Sequence, residues 1–287
     1  MTLPPLESIP SPPWSFDLAA TLGSGQVFHW QSRGAGFAAA AGEVPLYLEQ
    51  QGHELRCTAG QGILASHYLG LDHDMGKITA AFPSEDAVLQ RAMNWCPSLR
   101  ILRQPRWECL ATFITSSLKQ VPHIRKISLA LRESFGRRIE SPGLPVLYSY
   151  PSPAVLAAAG EEALRKHGLG YRAAFLHQAA VAVARGKLDL NAVVAMEDAD
   201  ALEALRSLKG VGEKVASCAL LFGWERHGAF PIDVWVDRVL RQLYPRCRRM
   251  KPPRLRDFAR RHFGPMRGYA QQFLFHWARL TDCGAKE

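Results

Sequence analysis

A lysine and an aspartate in the C-terminal third of the chain could do chemistry on a phosphate-bearing substrate. A short turn, Gly210-Val211-Gly212, leads directly into an amphipathic segment with Lys214 near its start, and Asp233 follows nineteen positions later. Glycines let a backbone turn tightly and approach a ligand closely. The N–H groups and positive dipole end of the following helix would face the same place, which is how a phosphate is held. An amine and a carboxylate beside such a hairpin suggest amine chemistry on a nucleic-acid sugar.

Each of these features also has a plainer interpretation. A Gly-x-Gly before a helix is usually only a turn, Lys214 could be a solvated helix residue, and Asp233 could be an ordinary helix N-cap. Their combination within one short segment favours the chemical interpretation. It requires one helix that begins near residue 213 and another that begins near residue 233.

The elements expected to position these side chains are helical. After about residue 105, apolar residues recur at helical spacing between Gly and Pro residues. The predicted helices span residues 107–118, 122–135, 153–167, 171–186, 197–207, 213–224, 233–244, 254–263 and 268–281. Residues 105–287 are therefore predicted to form a helical catalytic region.

The first third of the chain has a different pattern. Residues 1–13 are proline-rich and predict an extended lead-in. From residue 14 to about 60, short apolar pieces (FDLAATL, QVFHWQ, FAAAA, VPLYLEQ and ELRCTA) alternate with Gly-rich turns, which predicts a small antiparallel sheet. HYLGLDHDMGKITAAF and SEDAVLQRAMNWC predict helical connections. The predicted fold class is α+β, mostly α-helical, with a small N-terminal antiparallel β domain at residues 1–104.

Composition indicates an ordinary globular protein and favours a polyanionic partner. A chain of 287 residues can bury a sizeable core, and 47% hydrophobic and 21% charged residues are typical values. The net charge is +9, which favours a polyanion. One basic cluster, broken only by Asp257, is either a solvated face or a phosphate-contacting or steering surface, and the second is favoured. Its members are Arg246, Arg248, Arg249, Lys251, Arg254, Arg256, Arg260 and Arg261.

The cysteines and the N-terminus bear on cofactors and location. Six cysteines, at positions 57, 96, 109, 218, 247 and 283, include no Cys-x-x-Cys pair, so we expect no structural zinc, no four-cysteine iron–sulfur cluster and no other cofactor. The N-terminus has no basic start and no long apolar run, and no stretch of 18 apolar residues occurs. The sequence therefore predicts no signal peptide and no membrane span, and the bacterial cytoplasm is the expected location.

The lysine-bearing segment resembles a known family. The pattern Leu-x-Gly-x-Gly-x-Lys-x-Ala at 208–216, with Pro-x-Asp-Val at 231–234, is similar to the helix–hairpin–helix DNA glycosylases that use a lysine nucleophile. Four further segments, in the family's order, resemble the 8-oxoguanine DNA glycosylases of this superfamily: LGSGQVFHW at 22–30, ECLATFITSS at 108–117, GLGYRAAFL at 168–176 and GYAQQFLF at 268–275. The resemblance implies a bifunctional enzyme of base excision repair that excises 8-oxoguanine and cleaves at abasic sites.

The resemblance implies roles for the residues named first. A glycosylase takes the nucleotide out of the duplex, because the sugar C1′ is shielded in the stack. Lys214 would then attack C1′ as a neutral amine, displace the base and leave a Schiff base; the helix N-terminus disfavours its ammonium form. Asp233 would stay ionised and stabilise positive charge on the sugar, while still capping its helix. The residues expected at DNA phosphates are Gly210, Val211, Gly212 and Trp235.

The resemblance also implies a base pocket. Guanine has an acceptor at N7 and 8-oxoguanine has an N–H donor there, so the carbonyl of Gly25 would attract the lesion and repel the normal base. Gln271 can offer both a donor and an acceptor to the guanine-type edge. Phe275 would cover one face of the base, and Cys218, one helical turn after Lys214, the other. Gly25 as a turn glycine, and Phe275 and Cys218 as core residues, remain alternatives.

The segment that would enter the duplex departs from the family's pattern. Eukaryotic members carry asparagines and then an arginine that reads the orphaned cytosine, whereas this chain has residues 118–123, LKQVPH. Leu118 can fill the vacated stack but cannot hydrogen-bond a cytosine, and His123 is shorter than arginine. Tyr171 matches the tyrosine that pushes between bases. Trp235 replaces a phosphate-contacting histidine.

Two other functions compete with this one. An alkylation-repair glycosylase would release damaged purines with water as nucleophile, but that branch lacks the lysine. A non-catalytic DNA-binding module would use the hairpin only for phosphate grip, which leaves Asp233 and the pocket residues unexplained. If the chain is an 8-oxoguanine glycosylase, its expected partner is double-stranded DNA that contains an oxidised purine, and no membrane partner is expected. The expected oligomeric state is a monomer.

Overall fold

A five-stranded antiparallel sheet forms the N-terminal layer, as the sequence predicts. The structure is a computed structural model, and it describes residues 3–10, 12–117 and 119–281. The strands are β1 (Leu6–Ile9), β2 (Gln31–Arg33), β3 (Gly36–Ala41), β4 (Val44–Gln51) and β5 (Glu54–Thr58). Their order is β1-β5-β4-β3-β2, so β2 to β5 follow one another as hairpins and β1 closes the sheet edge. A separate ribbon pairs β6 (Arg138–Ile139) with β7 (Leu147–Tyr148).

Three details of the first 33 residues differ from the sequence prediction. The FDLAATL segment, predicted as a strand, forms the helix α1 (Leu18–Gly23), because Asp17 caps it by accepting a hydrogen bond from the Ala20 N–H at 2.8 Å. Of QVFHWQ, only the last residue belongs to a strand, and residues 27–30 are buried without strand pairing. The predicted lead-in contains β1, which pairs with β5.

The helices after residue 105 confirm the sequence prediction, with ends that agree to within three residues. The largest difference is in the predicted helix 153–167, where the α-helix ends at Leu164 and Arg165–Leu169 form a wider turn. The helices are α2 (Gly62–Tyr68), α3 (Met75–Ala80), α4 (Ala87–Trp95), α5 (Arg106–Ser116), α6 (Val121–Phe135), α7 (Pro153–Leu164), α8 (Arg172–Ala184), α9 (Asp198–Arg206), α10 (Glu213–Gly223), α11 (Val234–Leu243), α12 (Pro252–Phe263) and α13 (Arg267–Thr281).

Two interior helices form the floor on which the site is built. Residues 108–116 of α5 and residues 215–222 of α10 are all buried. A helix that is enclosed on all sides belongs in the interior of a protein, and both sequences are apolar enough for it. The two helices pack against each other, with the rings of Phe113 and Phe222 stacked at 5.5 Å. Their packing fixes where the first turn of α10 lies.

A buried polar group joins the sheet to the helices. Nδ1 of His29 lies 3.4 Å from Oε1 of Glu108 on α5, and its Nε2 lies 3.1 Å from the Ala40 carbonyl oxygen of β3. Arg132 of α6 donates to the same Glu108 carboxylate. Burial lowers the pKa of His29 well below its usual value and raises that of Glu108. The neutral His29 imidazole and the Arg132 guanidinium therefore hold the Glu108 carboxyl, and this contact joins β3, α5 and α6.

The proposed division of the chain at residue 104 stays a prediction. Helices α3 and α4 lie before that residue, yet they contribute to the same apolar core as α5 and α10, and α4 packs on α13. Within the described residues, no helix combines the length and hydropathy needed to cross a membrane. The same part of the chain contains no group of three or more His, Cys, Asp or Glu side chains arranged to hold a metal ion.

Candidate active site

Lys214 is the second residue of α10, and its side chain turns towards α5. The Nζ atom lies 3.5 Å from Oγ of Ser116 and 5.2 Å from the ring centre of Phe113. The side chain is half-buried. A contact over an aromatic face stabilises a cation without pairing it with a carboxylate. The amine therefore lies in the groove between α5 and α10 and does not extend freely into solvent.

The turn before α10 is a tight hairpin whose first glycine is required by its surroundings. The Val211 N–H donates to the Leu208 carbonyl at 3.0 Å. Gly210 has a φ of +84°, and an added Cβ there would lie 2.3 Å from the ring of Phe175. At Gly212 an added Cβ would meet nothing within 4 Å. Because α10 has no side-chain N-cap, the N–H groups of its first turn stay available for an outside acceptor such as a phosphate.

Asp233 is held by the helix that it starts. Its Oδ1 accepts hydrogen bonds from the N–H groups of Trp235 at 3.1 Å and Val236 at 2.9 Å, so the carboxylate is the N-cap of α11. Burial raises the pKa of Asp233 above its usual value, against the opposing effects of the Val236 hydrogen bond and the Lys214 charge. The carboxyl group is thus fixed in direction and lies within electrostatic reach of the amine.

Cys218 lies in the same neighbourhood as the amine and the carboxylate. It follows Lys214 by one turn of α10 and is buried. Burial raises the pKa of the Cys218 thiol to about 11; the Lys214 charge opposes this shift and the Asp233 charge adds to it. A thiol with a raised pKa stays protonated at neutral pH and behaves as a small apolar surface. Cys218 can therefore form a wall of a pocket and is not a nucleophile.

Gly25 and Phe275 lie against each other on the other side of the site. Gly25 has a φ of +83°, and an added Cβ would lie 2.9 Å from Cε1 of Phe275. No described residue donates a hydrogen bond to the Gly25 carbonyl, and the residue is half-buried. The Gly25 carbonyl can thus accept a hydrogen bond from a ligand that lies beside this aromatic face.

The loop that contains Gly25 is fixed by side chains on both flanks. Nε2 of Gln272 donates to the Ser24 carbonyl at 3.1 Å. The side chain of Gln26 is buried and bonds to two backbone groups, the Arg100 carbonyl at 2.7 Å and the Leu102 N–H at 2.9 Å. These hydrogen bonds leave the loop little freedom, so the direction of the Gly25 carbonyl is set before any ligand arrives.

Gln271 carries an acceptor that lacks a partner. The residue is 4% exposed, and among the described residues its Oε1 atom is buried without a hydrogen-bond donor. An unsatisfied buried amide oxygen costs about 1–3 kcal/mol. A ligand that brings an N–H group to this position would remove that cost.

Arg279 belongs to the site, although sequence reasoning missed it. Its Nη2 donates to the Gly23 carbonyl at 2.6 Å, and its guanidinium carbon lies 5.4 Å from the ring centre of Phe275. Burial lowers the pKa of Arg279, while the Asp233 carboxylate raises it. Arg279 therefore bonds to the loop that contains Gly25, lies over the aromatic face and is within electrostatic reach of the carboxylate. The available signal was helical spacing, since Arg279 follows Phe275 by four residues on α13.

The residues predicted to enter the duplex form a second group, joined to the first. Leu118 lies outside the described residues. His123 is exposed, and its Nε2 lies 4.0 Å from a Cβ built on Gly168, so the start of α6 meets the turn before α8. Tyr171 precedes α8, is 49% exposed and packs edge-on against Phe175 at 5.8 Å. Because Phe175 also contacts Gly210, the tyrosine is connected to the hairpin.

Arg172 is a further residue that sequence reasoning missed. Its Nε donates to the Ser117 carbonyl at 2.7 Å, and its guanidinium carbon lies 4.4 Å from the ring centre of Tyr171. It therefore ties the end of α5 to the start of α8. The same α5 end carries Ser116, which contacts the Lys214 amine.

Trp235 lies on the first turn of α11, beside Asp233. It is half-buried, and the guanidinium of Arg238 lies 4.9 Å from its ring centre. An indole offers one N–H donor and no charge. The charge near this position therefore comes from Arg238 and not from residue 235.

Comparisons by sequence find a matching family model and a related protein. The family model of the 8-oxoguanine DNA glycosylase N-terminal domain matches residues 8–110. A probable N-glycosylase/DNA lyase of Methanothermobacter thermautotrophicus is 31% identical over 217 residues, which is 69% of each chain.

Two solved structures are similar over nearly the whole chain. MBOgg1, in complex with a low-affinity DNA ligand, is 32% identical with a TM-score of 0.88 and covers 94% of both chains. The 8-oxoguanine glycosylase/lyase of Clostridium acetobutylicum, bound to duplex DNA with cytosine opposite 8-oxoguanine, is 28% identical with a TM-score of 0.88. That match covers 98% of this chain and 100% of the other.

Proposed function

Because the chain belongs to the 8-oxoguanine DNA glycosylases of the helix–hairpin–helix superfamily, we propose that Lys214 and Asp233 perform the chemistry of that family here. The protein is a bifunctional DNA glycosylase and abasic-site lyase, and its substrate is duplex DNA that contains 8-oxoguanine. The observation that supports the assignment of residues is that the Lys214 amine, in contact with Ser116, lies within electrostatic reach of a carboxylate fixed as the N-cap of α11.

The chemical step begins with the damaged nucleotide turned out of the helix. The amine of Lys214, in its neutral form, forms a bond to C1′ as the bond from C1′ to the base nitrogen breaks. The electron pair of that bond leaves with the base. The nitrogen loses one proton, and its second proton passes to O4′ as the C1′–O4′ bond breaks, which opens the sugar and leaves an imine between Lys214 and C1′. Removal of a proton from C2′ then expels the 3′-phosphate as the C3′–O bond breaks, and the strand is cleaved.

Asp233 would act on the charge that develops during this step. The sugar becomes positive as the base departs, and a preoriented carboxylate stabilises that charge without having to move. The two N–H groups that cap α11 hold the carboxylate in place. The raised pKa of Asp233 suits this carboxylate to accept a proton that the Lys214 nitrogen loses after it bonds to C1′.

The base would be recognised mainly by two groups. The open Gly25 carbonyl would accept a hydrogen bond from N7–H, which 8-oxoguanine has and guanine lacks. The unpartnered Gln271 oxygen would accept from the guanine-type edge, which satisfies a buried group that is otherwise orphaned. Phe275 and Cys218 would enclose the two faces of the ring.

The hairpin and the exposed tyrosine would hold the duplex. Gly210, Val211 and Gly212 would present backbone N–H groups to a phosphate, Trp235 would contact a neighbouring phosphate through its indole N–H, and Tyr171 would push between bases. We further propose that the protein works as a monomer on chromosomal DNA in the cytoplasm.

Reductive trapping with an 8-oxoguanine duplex tests the proposal. Sodium borohydride reduces an imine to a stable amine, so the wild-type protein would become covalently attached to the strand. Free 8-oxoguanine without an adduct would mean that water is the nucleophile, as in alkylation-repair enzymes. Binding without release of base would mean that the chain is only a DNA-binding module. Either of these two results overturns the role of Lys214.

A further inference from the structure

Most of the chain's net charge lies in one short stretch that the active site does not use. Residues 246–261, called the basic segment below, hold eight of the 35 basic residues and one of the 26 acidic residues. This is +7 of the total of +9 and leaves 27 basic and 25 acidic residues for the rest of the chain. The net charge is therefore concentrated in the basic segment and is not spread evenly over the protein surface.

Most of these cations are exposed and unpaired. Only two have an ion-pair partner within the described residues, namely Arg256 with Glu213 and Arg260 with Asp257. The other six have no side-chain ion pair or hydrogen bond to any described residue, and all six are exposed: Arg246, Arg248, Arg249, Lys251, Arg254 and Arg261. Like charges held this close repel one another, and a polyanion would relieve that repulsion.

The basic segment is attached to the two helices that carry the chemistry. Arg256 of α12 pairs with Glu213, the first residue of α10 and the neighbour of Gly212. Nη1 of Arg241, on α11, donates to the Met250 carbonyl at 3.0 Å and so holds the loop against the end of that helix. Since α11 has ten residues, its end lies about 15 Å from Asp233. The basic segment thus extends from the hairpin helix to about 15 Å from the carboxylate.

We propose that the basic segment is a second contact surface for duplex DNA, which grips the phosphodiester backbone on one side of the flipped nucleotide. At about 3.4 Å per base pair, the roughly 15 Å between Asp233 and the end of α11 spans about four or five base pairs of duplex, so the basic segment can reach phosphates within that distance of the lesion. Side-chain cations at this distance neutralise phosphates without reading sequence. The inference rests on the proposed function, because it takes DNA held at the hairpin as its starting point.

The Glu213–Arg256 pair fits the same role. A carboxylate on the first residue of α10 would repel a phosphate approaching the hairpin, although it suits the positive end of the helix. Arg256 cancels that charge from α12. The basic segment therefore both removes a repulsion at the hairpin and continues the positive surface away from it.

The dependence of DNA affinity on salt tests the surface directly. The test variant is R248Q/R249Q, and the matched control is R185Q/K187Q, which removes the same charge from exposed residues beyond the far end of α8. Each lost phosphate contact lowers the slope of log K against log salt by about 0.9. We expect the slope to fall by about 1.8 in R248Q/R249Q and to stay unchanged in the control. Equal slopes in wild type and R248Q/R249Q, or an equal fall in both variants, would overturn the proposal.

The position of the lesion in the duplex gives a second, independent readout. Two duplexes are compared, one cut short on the 5′ side of 8-oxoguanine and one on the 3′ side. Because the basic segment lies to one side of the hairpin, the affinity difference between wild type and R248Q/R249Q should disappear on one of them and persist on the other. Persistence on both would overturn the placement. Trapping of the wild type on full-length duplex is measured alongside, so that failure of the catalytic assignment would be seen separately.

Discussion

Asp233 has a structural contact and a proposed chemical role in the same side chain, and Asp233→Asn separates the two. Asparagine can still accept the Trp235 and Val236 hydrogen bonds but brings no charge to the developing cation. We expect single-turnover excision to fall at least about a hundredfold while the duplex affinity changes little. A collapse of the melting temperature with normal turnover by the remaining folded protein would make the residue structural.

The same variant carries a pH prediction. Burial raises the pKa of Asp233 in the folded protein. Keeping the carboxylate ionised above that pKa therefore lowers the free energy of unfolding, and this cost disappears as the pH falls and the carboxylate is protonated. Asp233→Asn should therefore keep or raise the melting temperature at pH 7. In the wild type, the excision rate should fall on the acid side with a midpoint above that of an ordinary aspartate. A wild-type profile that remains flat through the acid range would contradict the role of this carboxylate.

Lys214→Gln tests the nucleophile. The variant removes the amine and leaves the hairpin backbone, which needs no side chain to hold a phosphate. We expect excision and borohydride trapping to fall below detection, with duplex binding retained. Trapping that survives in Lys214→Gln would move the nucleophile to another residue. Lys209→Gln, which alters the other lysine of the hairpin segment, serves as the control and should keep its trapping.

Gly25→Ala tests recognition by the backbone. A left-handed φ of +83° costs alanine about 1–2 kcal/mol, and its Cβ would press on Phe275. The carbonyl must shift, so the preference for 8-oxoguanine over guanine should fall about tenfold, the value of one hydrogen bond. The control is Gly23→Ala, where an added Cβ meets nothing within 4 Å. An unchanged preference in Gly25→Ala would place lesion sensing elsewhere.

At the level of elements, we expect the loop between α5 and α6 to determine how the opposite base is read. Its described end is held by Arg172, and His123 is exposed at the start of α6. Neither Leu118 nor His123 has the bidentate donors of an arginine, so discrimination among opposite bases should be weak. A good bidentate contact contributes about 1–3 kcal/mol, or roughly 5- to 150-fold.

Single-turnover excision from duplexes with C, A, G or T opposite the lesion checks this prediction. The expected ratios are close to one, while 8-oxoguanine remains preferred over guanine. A preference for C above about 100-fold would show that another side chain reads the orphaned base. Lys119 and Gln120 are the candidates, and their Gln and Ala variants, respectively, would identify which one does so.

The helices could be predicted because their signals are local. Caps and apolar periodicity lie within the segments themselves, as Asp233 and α11 show. The segment around α1 was harder to predict, since FDLAATL has too few residues to distinguish a short helix from a strand. Only the Asp17 cap, a single hydrogen bond, marks its start.

The candidate site could be predicted only where family motifs carry it. Arg279 and Arg172 were missed because their contacts are long-range: one reaches Gly23, 256 residues away, and the other reaches Ser117, 55 residues away. Both arginines bond to backbone carbonyls. Because every residue type has a backbone carbonyl, the sequence does not indicate which residue is the partner. Periodicity places Arg279 on the face of Phe275 but does not indicate what it touches.

At the level of the whole molecule, the carboxyl of Glu108 ties the sheet to the helices. Removal of Arg132 would leave the buried Glu108 carboxyl without its cationic partner and with the His29 imidazole 3.4 Å away. We expect Arg132→Met to lower the free energy of unfolding by about 3–5 kcal/mol, measured by chemical denaturation, with normal excision per folded molecule. The exposed pair Arg165–Glu161 is the control, and Arg165→Met should cost less than about 1 kcal/mol. A similar small cost for Arg132→Met would show that this joint does not stabilise the fold.

The proposed use of the Gly25 carbonyl has an evolutionary consequence. A side chain that recognises a base can be exchanged by one codon change, whereas every amino acid carries the same main-chain oxygen. Mutation at position 25 can therefore damage lesion choice but has little scope to redirect it. New substrate ranges would arise through side chains that face the base, such as Gln271, or through Gln26, Gln272 and Arg279, which determine where the loop lies. The part of lesion choice that rests on this carbonyl can therefore be lost by one substitution at position 25, but turning it towards another base requires changes at other residues.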